Sequence, residues 1–190
     1  PIWDTCLTCH ALLEVGGERM NASVKRGLDW LVPKQILDVR GDWIARRPDI
    51  RPGGWAFQYA NPHYPDVDDT AVVVMAMDRS AARIPPATRD AVASAIDRAQ
   101  EWVVGMQSEN GGWAAFDADN EYYYLNQIPF ADHGALLDPP TEDVTARCVS
   151  MLAQLGARAG KSEGLDEGGA YLLRTQDKDG RWYGRWGMNY

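Results

Sequence analysis

The chain has 190 residues, 45% of them hydrophobic and 24% charged, with a formal net charge of −8. That length and balance suit one domain with a substantial core. The acidic surplus excludes a nucleic-acid partner, since neutralising phosphates takes clustered Lys and Arg, and no apolar run of about 18 residues is present to cross a bilayer.

The first predicted element is a helix over 4–15, opened by Trp3-Asp4-Thr5. Its Cys6-x-x-Cys9 pair has zinc spacing, but neither His10 nor Cys148 supplies a second ligand pair. The two thiols are therefore read as part of a buried helix face. With only three cysteines, reduced thiols and a cytosolic setting are expected. A second helix, 21–36, carries Arg26-Gly27-Leu28-Asp29-Trp30-Leu31 and leads through Gln35 to Gly41-Asp42-Trp43. The stretch 45–66 is rich in Pro and Gly and reads as loop. A helix over 68–80 is apolar nearly all round and should be buried.

The helix 86–107 repeats the earlier pattern: Arg98-Ala99-Gln100-Glu101-Trp102-Val103, then Gln107, then Gly111-Gly112-Trp113. A loop follows over 114–141. Within it Asp117-Ala118-Asp119-Asn120-Glu121 resembles the start of a calcium loop but has Tyr122 where the sharp turn needs Gly. His63 and His133 fall on loops without partners at metal spacing, so no metal and no cofactor are expected. Helices over 142–156 and 164–176 complete the set, the last leading through Gln176 to Gly180-Arg181-Trp182. The three Gln residues stand 72 and 69 apart. A second repeat is interleaved: Trp3-Asp4-Thr5, Asp68-Asp69-Thr70 and Asp143-Val144-Thr145 each open an apolar helix, where side-chain oxygens can satisfy free N–H groups.

Helix pairs repeated three times, one member apolar and the other charged, predict an all-α fold. Its architecture is a partial α/α toroid, an inner ring and an outer ring of alternating helices. Three pairs make half of a six-pair ring. The chain also begins without Met and ends without a polar tail, so it is read as a piece of a longer protein. The Gln and Trp residues of the repeat, with Trp43, Trp113 and Trp182 as its tryptophans, are assigned to structure. Each Gln is expected to bond backbone groups of a neighbouring helix end.

The sharpest chemical signal is Asp66-Val67-Asp68-Asp69-Thr70-Ala71. Three carboxylates at the head of an apolar helix repel one another, and poor hydration penalises their charge further. Both effects hold a proton on at least one of them at neutral pH. Such a group facing an apolar pocket is a strong acid for an unactivated alkene. A helix cap with solvated acids, or a hydrated magnesium site, are the other readings of the same residues.

Asp66-Val67-Asp68-Asp69-Thr70-Ala71 resembles the acid motif of squalene–hopene cyclases, and the three Gln–Trp segments resemble that family's tandem repeat. Gly53-Gly54-Trp55-Ala56-Phe57-Gln58 and Asp138-Pro139-Pro140-Thr141-Glu142-Asp143-Val144-Thr145-Ala146 look similar to family segments too. The resemblance implies protonation-initiated polycyclisation of squalene to hopene or hopanol. It implies Asp68 as proton donor, Asp66 and Asp69 as its support, and Arg147 with Asp143 one turn earlier as its charged neighbours. Arg147 falls where some family members carry His. Aromatic rings stabilise carbocations without attacking them, and by resemblance Trp3, Phe57, Phe116, Phe130 and Trp186 are expected to line the substrate cavity. The run Tyr122-Tyr123-Tyr124 suits either rim or pocket.

The resemblance further implies that residues 1–190 form part of one catalytic α/α-barrel. The remainder of that barrel and a second barrel would lie elsewhere, and the fragment alone would be inactive. A peripheral position on the cytoplasmic face of the bacterial membrane and a homodimer follow from it for the full-length parent. A class II terpene cyclase acting on a prenyl diphosphate can carry the same acid motif, but would want more basic residues than Arg147. An oxidosqualene cyclase would resemble Asp-Cys-Thr at this point. An α/α-toroid glycosidase and a helical repeat scaffold are the remaining alternatives.

Overall fold

A computed structural model describes residues 1–129, 136–159 and 164–184. It contains six α-helices: α1 (Ile2–Val15), α2 (Glu18–Leu31), α3 (Val67–Ser80), α4 (Pro86–Gly105), α5 (Glu142–Ala159) and α6 (Leu165–Thr175). Short 3-10 turns lie at Val32–Lys34, Asp42–Ala45, Ala81–Arg83 and Tyr123–Gln127. Among the described residues there is no strand, only the isolated bridges Trp55↔Asp66 and Asn120↔Asp138. Element ends follow local chemistry. Gly16 stops α1 with a φ of 71°, which costs a glycine little. Pro86 opens α4 at a position whose N–H has no helical partner anyway.

Side-chain contacts fix how the helices run. At one end, Arg147 of α5 reaches Asp68 of α3 and lies over the ring of Trp3 of α1. At the other end, Arg79 of α3 pairs with His10 and Glu14 of α1, and Gln154 of α5 donates to Met75 O and Asp78 of α3. Helices α1, α3 and α5 are therefore parallel neighbours, with α3 between the other two. The remaining three run back outside them. Gly27, near the end of α2, lies against Thr5 and Cys9 in the first half of α1. Gly54 is packed against both Trp102, near the end of α4, and Thr70, at the start of α3. Tyr171 of α6 donates to Pro140 O just before α5.

The layering follows from composition. In α3 every residue is buried except Asp68, Met75 and Arg79, which are half-buried. Helices α2 and α4 bury only one face, Val24, Leu28 and Leu31 in the former and Val92, Ala95, Ala99, Trp102 and Val103 in the latter. Cys6, Cys9 and Cys148 are free thiols in the core, as expected of the helix faces that carry them.

The Gln–Trp repeat acts as a latch between successive pairs. Gln35 Nε2 donates to Gly53 O at 2.8 Å and to Ala95 O of α4 at 2.9 Å. Gln107 Nε2 donates to Gly111 O at 2.8 Å and to Gly164 O at the head of α6 at 3.0 Å. Gln176 Nε2 donates to Gly180 O at 2.8 Å. Each Gln thus binds the Gly of its own repeat, and the first two reach the next outer helix. The tryptophans complete the pattern: Trp55, Trp113 and Trp182 donate through Nε1 to Leu31 O, Val103 O and Leu172 O.

This corrects the sequence reading of the first repeat. Its closing tryptophan is Trp55, in Gly53-Gly54-Trp55, and not Trp43. Residues 36–52 are an insertion ahead of the latch. Its Trp43 is buried edge-on against Trp102, centroids 6.1 Å apart, with an unpaired Nε1.

The latch also grips the next inner helix. Trp55 N donates to Thr70 Oγ1 and Trp113 N to Thr145 Oγ1, both at 2.9 Å. Thr5, Thr70 and Thr145 each donate N–H to the carbonyl four residues earlier, at Pro1, Asp66 and Thr141. The threonines put the three inner helices in one register. Two residues before them stand Trp3, Asp68 and Asp143.

Candidate active site

The acid motif heads α3. Asp66 is its N-cap: Oδ1 accepts from Asp68 N at 2.8 Å and from Asp69 N at 3.2 Å. This satisfies two donors that no helix can pair internally. The capping expected of Asp4 is not seen, since α1 begins at Ile2 without a side-chain cap. Thr70, fully buried, donates to Asp66 O at 2.6 Å while accepting from Trp55 N.

Asp66 and Asp69 are buried, whereas the Asp68 side chain keeps 20% of its surface. Burial pushes Asp66 up to about 8, helped by the charge of Asp69 and opposed by its backbone hydrogen bonds. Burial and the neighbouring Asp68 push Asp69 up to about 7. Burial raises Asp68 to about 6, with Arg147 pulling it down and Asp143 pushing it up. Asp68 Oδ1 and Asp69 Oδ1 are shut off from solvent and accept no hydrogen bond. Arg147 Nε stands 3.1 Å from Asp68 Oδ1, a charge contact without hydrogen-bond alignment. Its Nη1 is 3.8 Å from Asp143 Oδ2, and its guanidinium carbon lies 5.5 Å from the Trp3 centroid.

The neighbours of this cluster are poor at solvating charge. Burial pushes the Cys6 thiol of α1 up to about 12, with Asp69 adding to the shift. Burial raises the Cys148 thiol of α5 as well, and Asp68 and Asp66 add to it. Neutral thiols are weak donors and leave a carboxylate beside them under-stabilised. Protonation relieves that cost. Each raised carboxyl holds more protons folded than unfolded, so stability falls as pH rises from the ordinary carboxylate range through the folded value. Asp69→Asn in the full-length protein is accordingly expected to raise the melting temperature at pH 8. At pH 5, between the ordinary carboxylate range and the folded value of about 7, the gain should be clearly smaller, because only part of that stability has been lost there. A gain of equal size at both pH values would mean that burial does not raise Asp69 above the ordinary carboxylate range.

Two aromatic candidates flank the motif on its loops. Trp55 pairs with Asp66, and Phe57 follows two residues later with 53% of its surface exposed. Val67 N donates to Ala115 O at 2.8 Å, and the adjacent Phe116 is 37% exposed. Phe130 and Trp186 lie outside the described residues, as does His133. Tyr122, Tyr123 and Tyr124 are exposed. The acids of the 117–121 stretch are already engaged: Asp119 pairs with Arg47 at 2.8 Å, and Asp117 accepts from Asn120. Among the described residues no three His, Cys, Asp or Glu side chains gather as a metal-ligand set.

The structure therefore brings Asp66, Asp68, Asp69, Asp143, Arg147 and Trp3 to one end of three parallel helices. Sequence reasoning missed Asp138, whose carboxylate accepts three consecutive backbone N–H groups of the 115–117 turn. The signals for it were its place at the head of the family-like segment 138–146 and the pair Pro139-Pro140 directly after it, which stiffens the chain.

The full chain, residues 1–190, matches the family described as squalene-hopene cyclase C-terminal domain. It is 65% identical to a probable squalene–hopene cyclase of Sinorhizobium fredii over 190 residues, covering 100% of this chain and 29% of that protein. Against the squalene–hopene cyclase of Bradyrhizobium diazoefficiens the identity is also 65%, with 100% of this chain and 28% of that protein covered. The squalene–hopene cyclase of Alicyclobacillus acidocaldarius is 44% identical, again across the whole chain and 29% of its own length. The chain thus spans under a third of the relatives it matches.

Proposed function

Since the chain belongs to the squalene–hopene cyclase C-terminal domain family, we propose that it supplies the acid end of a cavity in which squalene is protonated and polycyclised. Asp68 is the donor in this reading. Its carboxyl proton passes to one carbon of the terminal alkene, and the positive charge appears on the more substituted carbon. Neighbouring double bonds then attack in turn, each forming a ring bond and moving the cation along the chain. Loss of a proton gives an isomer of the substrate, and capture of water gives the alcohol. The Asp68 carboxylate left behind faces the Arg147 guanidinium. Burial and the nearby Asp143 favour the neutral acid at Asp68, and Asp66 caps the helix that carries it. Trp3, Phe57 and Phe116 offer ring faces to the cation, each worth about 2 kcal/mol or more once desolvated.

The observation that supports this reading most is the contrast within the motif. Two acids are buried and one opens beside Arg147 and Trp3, at the head of a helix with no polar side chain exposed. A diphosphate would find there, among the described residues, a single cationic side chain, Arg147, already set between the carboxyl groups of Asp68 and Asp143. The same reading makes residues 1–190 one arc of an α/α barrel, with α1, α3 and α5 inside and α2, α4 and α6 outside. The rest of the enzyme would close the ring. Squalene dissolves in membranes rather than water, which favours a position of the complete enzyme at the membrane surface. No described helix is long and apolar enough to cross a membrane.

The test is to incubate the full-length enzyme with squalene and, separately, with a prenyl diphosphate. Polycyclic product from squalene is expected, and conversion of the diphosphate alone would overturn the reading. The rate should be flat on the acid side. It should fall as pH rises through the range of about 6 to about 8 spanned by the three carboxyls, because only the protonated form donates.

A further inference from the structure

We propose that Asp138 is a positioning residue of this site, one that sets the head of α3 and the ring of Phe116 through the 115–117 turn. The inference rests on the cyclase reading above. The Asp138 carboxylate accepts from Ala115 N at 3.3 Å, Phe116 N at 2.6 Å and Asp117 N at 2.7 Å. Three successive N–H groups converging on one carboxyl group form a nest, a concavity that favours negative charge, and their hydrogen bonds oppose the rise that burial imposes on Asp138. The turn then presents Ala115 O to Val67 N, the first residue of α3, at 2.8 Å. One carboxylate is thus linked by two steps to the helix start that carries Asp68. It is linked by one step to Phe116.

Beyond the turn the chain is held separately, Asp119 pairing with Arg47 and accepting from Glu109 N while its own N–H donates to Ser108 Oγ. Further on, Tyr123–Gln127 make a 3-10 turn beside the exposed Tyr122, Tyr123 and Tyr124. Asp138 itself is anchored by the bridge to Asn120 and by Pro139-Pro140, whose second member accepts from Tyr171 of α6. The outer helix α6 is therefore connected, through Pro140, Asp138 and the turn, to the acid end of α3. An aromatic ring displaced by about an ångström from its place beside a cation loses much of its effect, and misplacement on that scale costs on the order of 10²-fold in rate.

Asp138→Asn in the full-length enzyme puts an NH₂ donor where the turn needs an acceptor. Hydrogen exchange at the amides of Phe116, Asp117 and Val67 should then speed up about tenfold or more, while the cores of α1 and α5 stay protected. This readout does not depend on activity. With squalene, kcat should drop about tenfold to hundredfold at similar KM, and incompletely cyclised products should appear. Asp138→Glu, which keeps the charge and both acceptors, should restore part of the rate. If the Asn variant does not accumulate as folded protein, the Glu variant carries the same measurements, with a smaller change in the same three amides. A double-mutant cycle with Phe116→Ala should be strongly non-additive. Unchanged exchange at the three amides, or full additivity with Phe116→Ala, overturns the positioning role. Faster exchange in an enzyme that leaves squalene untouched would keep the positioning role and sink the cyclase reading instead.

Discussion

Asp68→Asn in the full-length enzyme is expected to abolish cyclisation of squalene while leaving the fold intact. Asn fills the same space, and the Asp68 side chain accepts no hydrogen bond at its buried oxygen, so the fold loses little. What disappears is the only transferable proton on the half-open member of the trio. General-acid assistance is commonly worth about 10²–10⁴-fold. The loss here should exceed that range, because an isolated alkene offers no lone pair for a weaker acid to exploit and the cluster excludes water. Product analysis after incubation with squalene, alongside circular dichroism of the variant, measures both halves of the statement. Substantial polycyclic product from a folded Asp68→Asn enzyme would remove Asp68 from the donor role.

Trp55→Ala should cause the largest loss of stability. Trp55 is fully buried and donates through Nε1 to Leu31 O at 2.8 Å, and its own N–H binds Thr70. Truncating a buried Trp costs about 3–5 kcal/mol. A buried carbonyl left without its donor adds roughly 1–3 kcal/mol. The informative comparison is with Phe. Trp55→Phe keeps most of the ring and loses the hydrogen bond, so it should still melt well below the parent. Trp43→Phe has no Nε1 hydrogen bond to lose and should be much milder. Equal drops in melting temperature for the two Phe variants would mean that the Nε1 bond to Leu31 carries no stability.

These two residues also mark how far the sequence could be read. The six helices and the burial of α3 were legible because their periodicity and apolar content leave few alternatives. The acid trio was legible because a helix this apolar needs only one capping acid, which Asp66 supplies, and two more follow it. The identity of the first latch tryptophan was not legible. A Gly-x-Trp stands at Gly41-Asp42-Trp43, closer to the spacing of the other repeats, and only the hydrogen bonds of Gln35 and Trp55 reveal that the chain loops out between Gln35 and Gly53. Asp138 was hidden for a related reason: its partners lie more than twenty residues back along the chain. The meeting of Arg147, Asp68 and Trp3 depends on three helices being parallel, which no local pattern encodes.

The shared register of Thr5, Thr70 and Thr145 has a consequence for how such an enzyme can change. The position two residues before each threonine holds Trp3, Asp68 and Asp143 in turn, and all three meet at Arg147. The backbone at each is held by the threonine and, in the second and third units, by the latch tryptophan that grips it. That scaffold makes no demand on the side chain two places earlier. One slot is offered three times around a common point, and it is filled in two ways: once with an aromatic face, twice with an acid. A protein built this way can acquire new chemistry by single substitutions at a repeated address, without renegotiating its architecture.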